Sequence, residues 1–174
     1  MELLQVDDAN LEGLLAVAVD DAAPEEVMPP VAVAGPPGWT RERQLAFRNW
    51  HRARRPGLSG PLHESTFAIT QDGKIVGSAR LAVRDRPDVL EAGMWLARSK
   101  RGRGIGTAAL RMLLDEAARS GARTVVADTK ADNTAALTVL RRNGAQIITS
   151  RDTVEVHAVL MPNGMPPLPP TAHL

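Results

Sequence analysis

Residues 101–106 read Arg-Gly-Arg-Gly-Ile-Gly, and Arg98, Lys100, Arg101 and Arg103 crowd into six positions around them. Glycine lets a backbone adopt φ > 0 and come close to a ligand. Where such a loop opens a helix, the free N–H groups of the first turn converge on one spot, with the positive end of the helix dipole behind them. That arrangement suits a diphosphate, and nearby basic side chains add charge-assisted hydrogen bonds. A Walker loop is excluded, because no Gly-Lys-Ser/Thr follows. Gly104-Ile-Gly106-Thr-Ala-Ala109 also fits the dinucleotide pattern G-x-G-x-x-A, with Asp128 22 residues after Gly106. Two features oppose that reading. The loop follows an antiparallel meander instead of opening a parallel sheet, and only 68 residues remain after Gly106.

Other chemistries have fewer carriers. The chain has no cysteine, which removes disulfides, thiolate catalysis and Cys-based zinc sites. It has no tyrosine, hence no phenolic acid. His51, His63, His157 and His173 lack metal-ligand spacing, so no metal is expected. A net charge of +1 gives no reason to expect nucleic acid as a partner. The basic cluster reads as a local anion site. No apolar run reaches the ~20 residues of a membrane span. The N-terminal MELLQVDDAN is acidic and has no basic n-region, so no signal peptide is expected and a cytoplasmic location is the default.

The elements that must position these groups follow from periodicity. Glu2–Val6 suits a first strand. A helix capped by Asp8 or Asn10 runs to about Ala18, with Leu11, Leu14, Leu15 and Ala18 on one face. Pro24, Pro29, Pro30, Pro36 and Pro37 predict a long loop over 22–39. Thr40 caps a second helix, 41–54, and Pro56 to Pro61 breaks the chain again. Ser65–Thr70 and Ile75–Val83 form a hairpin across Asp72-Gly73. A strand at Val89–Ala97 leads into the glycine loop. The helix from about Gly104 to Ser120 carries a stripe of Leu110, Leu113, Leu114, Ala117 and Ala118, and Gly121 ends it. Arg123–Asp128 has an apolar centre and reads as a strand buried on both faces. A helix runs from Asn133 to Asn143. Strands at Gln146–Ser150 and Thr153–Leu160 close a single domain, 1–161. The tail, 162–174, is too proline-rich to pack regularly. The expected fold is mixed α/β.

At this point the sequence resembles the GNAT superfamily of N-acetyltransferases. The family's pyrophosphate motif is Arg/Gln-x-x-Gly-x-Gly/Ala, and this chain has Arg101-Gly-Arg-Gly104-Ile-Gly106. The family also places an Asn about one strand later, opening a helix that reads Asn-x-x-Ala and ends in Gly plus an apolar residue. Here that is Asn133-Thr-Ala-Ala136 through Gly144-Ala145. The resemblance covers roughly 65–160. It implies a mostly antiparallel twisted sheet flanked by helices, with a V-shaped opening between the fourth and fifth strands. It implies acetyl-CoA as cofactor. Trp95, Leu96 and Ala97 would bond the pantetheine arm, and backbone amides from Arg101, Gly102, Arg103, Gly104, Ile105, Gly106 and Thr107 would hold the pyrophosphate. Asn133 would touch the cofactor from the other side, and Arg98, Lys100 or Arg103 would meet the ribose phosphate. Dimerisation is compatible with the family, but the sequence does not show it.

Acetyl transfer to an amine needs the neutral nucleophile, and an ordinary ammonium has a pKa of ~10, so a base or a water chain must take its proton. Glu91, on the strand leading into the loop, is the expected base, because relatives often place a carboxylate there. Asp128 and Asp88 stand in reserve, with His63 and Glu64 behind them. Many relatives use a Tyr as the acid, and the matching position here is Leu140. Another group then protonates the thiolate, or the thiolate leaves unaided. The acceptor side is expected from residues 20–60. Asp20, Asp21, Glu25 and Glu26 form an acidic cluster suited to a cationic substrate; Trp39, Phe47 and Trp50 are candidate apolar walls, although helix periodicity favours Phe47 and Trp50 as core. The expected acceptor is a small cationic amine such as an aminoglycoside antibiotic, with resistance as the outcome. Gly93-Met-Trp-Leu resembles the strand of ribosomal-protein acetyltransferases, so an N-terminal amine of a protein is the alternative. A non-catalytic acyl-CoA-binding module is the alternative of another class.

Overall fold

A computed structural model describes residues 1–30, 35–149 and 154–162. The proline-rich tail from 163 onward, residues 31–34 of the long loop, and Ser150 to Thr153 lie outside the described residues.

β1 (Glu2–Gln5) leads to α1 (Leu11–Asp21), whose Leu11, Leu14, Leu15 and Ala18 are all buried, the stripe that their spacing predicts. Asn10 holds the N-cap position, but its side chain bonds Asp7 N–H instead of capping the helix. The region read as a continuous loop contains a one-turn helix, α2 (Pro24–Val27). Proline breaks a helix interior, but at the first helical position its missing N–H costs nothing. Glu26 Oε2 completes the turn by accepting from Ala23 N–H at 2.7 Å. α3 (Arg41–Ala53) starts on Thr40, whose Oγ1 accepts from Arg43 N–H.

The meander follows as β2 (Glu64–Gln71), β3 (Lys74–Val83) and β4 (Val89–Leu96), all antiparallel. α4 (Ile105–Arg119) then crosses to β5 (Thr124–Lys130). Its buried stripe is Ile105, Ala109, Leu110, Leu113, Leu114 and Ala117; Ala118, expected in the stripe, is only half-buried at its border. α5 (Thr134–Arg142), β6 (Gln146–Thr149) and β7 (Glu155–Leu160) complete the order. The sheet runs β1-β2-β3-β4-β5-β7-β6. No described helix is long and apolar enough to cross a membrane.

Two apolar clusters sandwich the sheet. Leu81, Leu90 and Val125 meet Leu110, Leu113 and Leu114 of α4 on one face. Ala68 meets Leu14 of α1 and Phe47 of α3 on the other.

The feature that positions the site is where pairing stops. β4 and β5 are parallel and share Val89↔Thr124, Leu90↔Val125 and Glu91↔Val126. Beyond Glu91, β4 stays with β3 as far as Leu96, while β5 stays with β7 as far as Lys130. The two strands therefore diverge into the expected V.

Candidate functional site

The glycine loop lies at the head of α4. Gly104 is the N-cap residue, with φ +78° and ψ −4°, and Gly102 has φ +74°. Nothing lies within 4 Å of a Cβ built on either. Among the described residues, the N–H groups from Gly102 to Thr107 have no hydrogen-bond partner. Gly106 is tight: a Cβ there would stand 3.2 Å from Val139 Cγ2 and 3.6 Å from Leu96 Cδ1, so α4 seats directly on α5 and β4. Asn143 Nδ2 donates to Thr107 O at 3.2 Å and fastens the same turn. These are free donors at the positive end of a four-turn helix, the setting in which an anion is stabilised.

Trp95 and Leu96 lie on the diverging end of β4, and buried Ala97 donates its N–H to Val76 O. Asn133 caps α5, its Oδ1 accepting from Ala136 N–H at 3.0 Å. Leu140, where many relatives carry Tyr, is buried in the main apolar cluster.

Two of the acidic residues expected on the acceptor side meet the basic loop. Asp21 Oδ2 accepts from Ser99 N–H at 2.9 Å, and hydrogen bonding from Ser99 holds its carboxyl below the usual aspartate range. Glu26 pairs with Arg98 Nη2 at 2.7 Å and Arg101 Nη2 at 3.2 Å. The Ala23 N–H, then these arginines, hold Glu26 below the usual glutamate range despite partial burial. Trp39 donates Nε1–H to Ala22 O at 2.9 Å and meets Phe47 edge-on, which fastens the segment before α2 to the core.

A cavity of about 350 Å³ opens between α2, α3 and the middle of the sheet. Glu25, Glu26, Trp50, Glu64, Arg80 and Trp95 are among its walls. Asp21 and Trp39 do not line it. Half-buried Trp50 lines the cavity, with the Arg54 guanidinium 3.8 Å from its ring centre. Buried Glu64 forms ion pairs with Arg54 Nε at 2.9 Å and Arg80 Nη1 at 3.5 Å. Glu25 has no ion pair among the described residues. The cavity thus carries three carboxylates against two guanidiniums.

From there a charged row crosses the sheet. Arg80 passes over Gly93, where a Cβ would come within 2.9 Å of Arg80 Nε, and its Nη2 reaches Glu91 Oε1. Arg84 Nη1 bridges Glu91 Oε2 and Asp128 Oδ2, each at 2.7 Å. Asp128 Oδ1 meets His157 Nδ1 at 2.7 Å from the opposite position on β7. The hydrogen bond from His157, and then Arg84, hold Asp128 below the usual aspartate range despite partial burial. Glu91 and Asp128 are therefore brought together through one arginine. The sequence signals neither Arg80, Arg84 nor His157 as functional; strand alternation and the small residue at Gly93 are the only traces of the row. No group of metal-ligating side chains occurs among the described residues.

Comparison with known proteins agrees with this geometry. The Acetyltransferase (GNAT) family profile matches residues 25–145. No protein of curated function matches the sequence. The fold is similar to that of the ribosomal L7/L12 alpha-N-protein acetyltransferase RimL in complex with coenzyme A, at TM-score 0.71 and 20% identity, covering 91% of this chain and 92% of that one. It is similar to an N-acetyltransferase from Staphylococcus aureus Mu50, at TM-score 0.64 and 21% identity, over 92% and 97% of the two chains. The protein yncA from Salmonella typhimurium, solved with its cofactor acetyl-CoA, aligns at TM-score 0.65 and 17% identity over 94% of each. The chain belongs to the GNAT family of acetyltransferases and uses acetyl-CoA as its cofactor.

Proposed function

We propose that this enzyme acetylates a primary amine of a small cationic molecule bound in the 350 Å³ cavity beside β4. One observation carries the reading: the open cavity is walled on one side by α2 and α3, has a carboxylate majority, and shares Gly93 to Trp95 with the strand that flanks the V. Glu25 and Glu26 are the proposed contacts to the substrate's positive charge, with Trp50 as an apolar wall. Asp21 and Trp39, expected as substrate contacts, act at one remove by fixing the segment that carries α2. An aminoglycoside has the required charge, and its acetylation would remove a charge and a donor.

Acetyl-CoA supplies an acyl group activated as a thioester. The amides of Gly102 to Thr107 are proposed to hold its diphosphate, with Arg98, Arg101 and Arg103 adding charge, and Trp95 to Ala97 and Asn133 to line the arm. Glu91 is the proposed base, at the last paired position before the V. Its two oxygens already accept from Arg80 and Arg84. Arg84 shares one nitrogen between Glu91 and Asp128, so a shift of Arg84 toward Asp128 frees Oε2 for the proton. The Asp128–His157 pair is the reserve: Asp128 fixes Nδ1 and leaves Nε2 as the proton-accepting atom of a neutral imidazole. No phenol protonates the departing thiolate, which leaves as the weak base it is.

A second reading is acetylation of a protein N-terminus. The Gly93-Met-Trp-Leu stretch and the likeness to RimL favour it. A thiol-release assay with acetyl-CoA separates the two. Release with an aminoglycoside or polyamine and not with peptides supports the small-amine reading. Release only with peptides sinks it.

A further inference from the structure

The Glu26 carboxylate occupies a position built for an anion. Oε2 accepts from Arg98 Nη2 at 2.7 Å, and Oε1 from Arg101 Nη2 at 3.2 Å. No other carboxylate forms an ion pair with either arginine among the described residues. Both arginines flank the loop read above as the diphosphate site. The one-turn helix that carries Glu26 is also a wall of the acceptor cavity. A single side chain therefore stands between the two halves of the active site.

A diphosphate and this carboxylate cannot share two guanidiniums without like-charge repulsion. The guanidinium side chains are 56% and 43% exposed, and ion pairs of that kind are weak. A diphosphate with the head of α4 behind it has the stronger claim. The backbone need not move for the exchange. Val27 and Met28 stay buried in the second cluster, Trp39 holds Ala22, and rotation of Glu26 leaves the Ala23 N–H to water.

We propose that Glu26 is an internal stand-in for the cofactor diphosphate: acetyl-CoA displaces it from Arg98 and Arg101, and the released carboxylate turns into the acceptor cavity to complete the seat for a cationic amine. This rests on the reading of residues 98–107 as the diphosphate site. Each ligand then raises the protein's affinity for the other by the same factor.

Calorimetry with coenzyme A tests it on the full chain. Glu26→Gln and Glu26→Ala should each bind coenzyme A about three- to tenfold tighter than the unchanged protein. Asp72→Asn, which removes an equal charge in the distant β2–β3 turn, should stay within about twofold, as surface changes away from such features do. Spermidine serves as the probe cation. Its affinity for the unchanged protein should rise when coenzyme A is saturating, and the rise should vanish in Glu26→Gln. Equal coenzyme A affinity in the unchanged protein and both Glu26 variants would overturn the proposal. So would spermidine binding that ignores coenzyme A in the unchanged protein. Failure of the unchanged protein to bind coenzyme A at all overturns the diphosphate reading itself, and this inference with it.

Discussion

Gly104 combines two demands that no other residue type meets. It holds a left-handed backbone at φ +78°, and it keeps the head of α4 open for an anion. Aspartate tolerates that conformation better than most residues, so Gly104→Asp should leave the fold intact while placing negative charge beside the free donors. Coenzyme A affinity should fall by roughly a hundredfold or more, about 2.7 kcal/mol, in a titration, with the melting temperature little changed. Retained affinity would refute the assignment of the loop. Glu91→Gln should lower the acetylation rate at neutral pH by about 10²–10⁴ if Glu91 takes the amine proton. A change within twofold would move the role to His157 and Asp128, where His157→Gln in the same assay is the next variant. The glycine loop at the head of α4 and the strand that carries Glu91 were legible in the sequence because glycine spacing and strand alternation are local signals. The ion pair of Glu26 with Arg98 was not, because 72 residues separate the partners and only the fold brings them together.

The same division between local and distant information governs the elements. Heptad-like leucines announced α1 and α4, and the Asp72-Gly73 turn announced the β2–β3 hairpin, because each depends on neighbours in the chain. α2 was hidden by its own proline. Five prolines between 22 and 39 read as breakers, and nothing in composition separates a proline that ends a helix from one that begins it. Nor does sequence show why Gly77 must be glycine. A Cβ there would sit 2.2 Å from Trp95 O and 3.0 Å from Leu96 Cα, so β3 packs against the end of β4 with no room for a methyl group. Gly77→Ala should cost about 1–3 kcal/mol in denaturant unfolding. It should also weaken coenzyme A binding, because the displaced segment lines the V. A variant of unchanged stability and affinity would show that the two strands part more easily than this packing implies.

For the molecule as a whole, the balance of charge hides one buried group that ties stability to pH. His51 is 1% exposed, with Nδ1 against Thr66 Oγ1 at 3.1 Å and Nε2 without a partner. Burial, and then neighbouring Arg54, push its imidazole down to about 3. The unfolded chain protonates the same ring near ~6.5. Between those values unfolding takes up a proton, so this contribution is complete above about pH 6.5 and is lost as the pH falls, by up to ~1.4 kcal/mol per unit. Denaturant midpoints measured from pH 7.5 to 5 should fall accordingly, and His51→Gln should flatten the slope. An equal slope in the variant would assign the dependence to other groups.

The V in the sheet also divides the chain by order of synthesis. Every strand before the glycine loop lies on one side of it and every strand after lies on the other, with three residue pairs joining them. The molecule is thus two consecutive half-sheets, residues 2–96 and 124–160, that share a short hinge and the helix between them. Each half carries its own ladder, β1 to β4 on one side and β5 to β7 on the other, and only the three pairs between β4 and β5 tie the ladders together. A cofactor lodged in the V then acts as mortar between the halves. Saturating acetyl-CoA is expected to slow amide exchange across the later half-sheet as a block, including strands that never touch it.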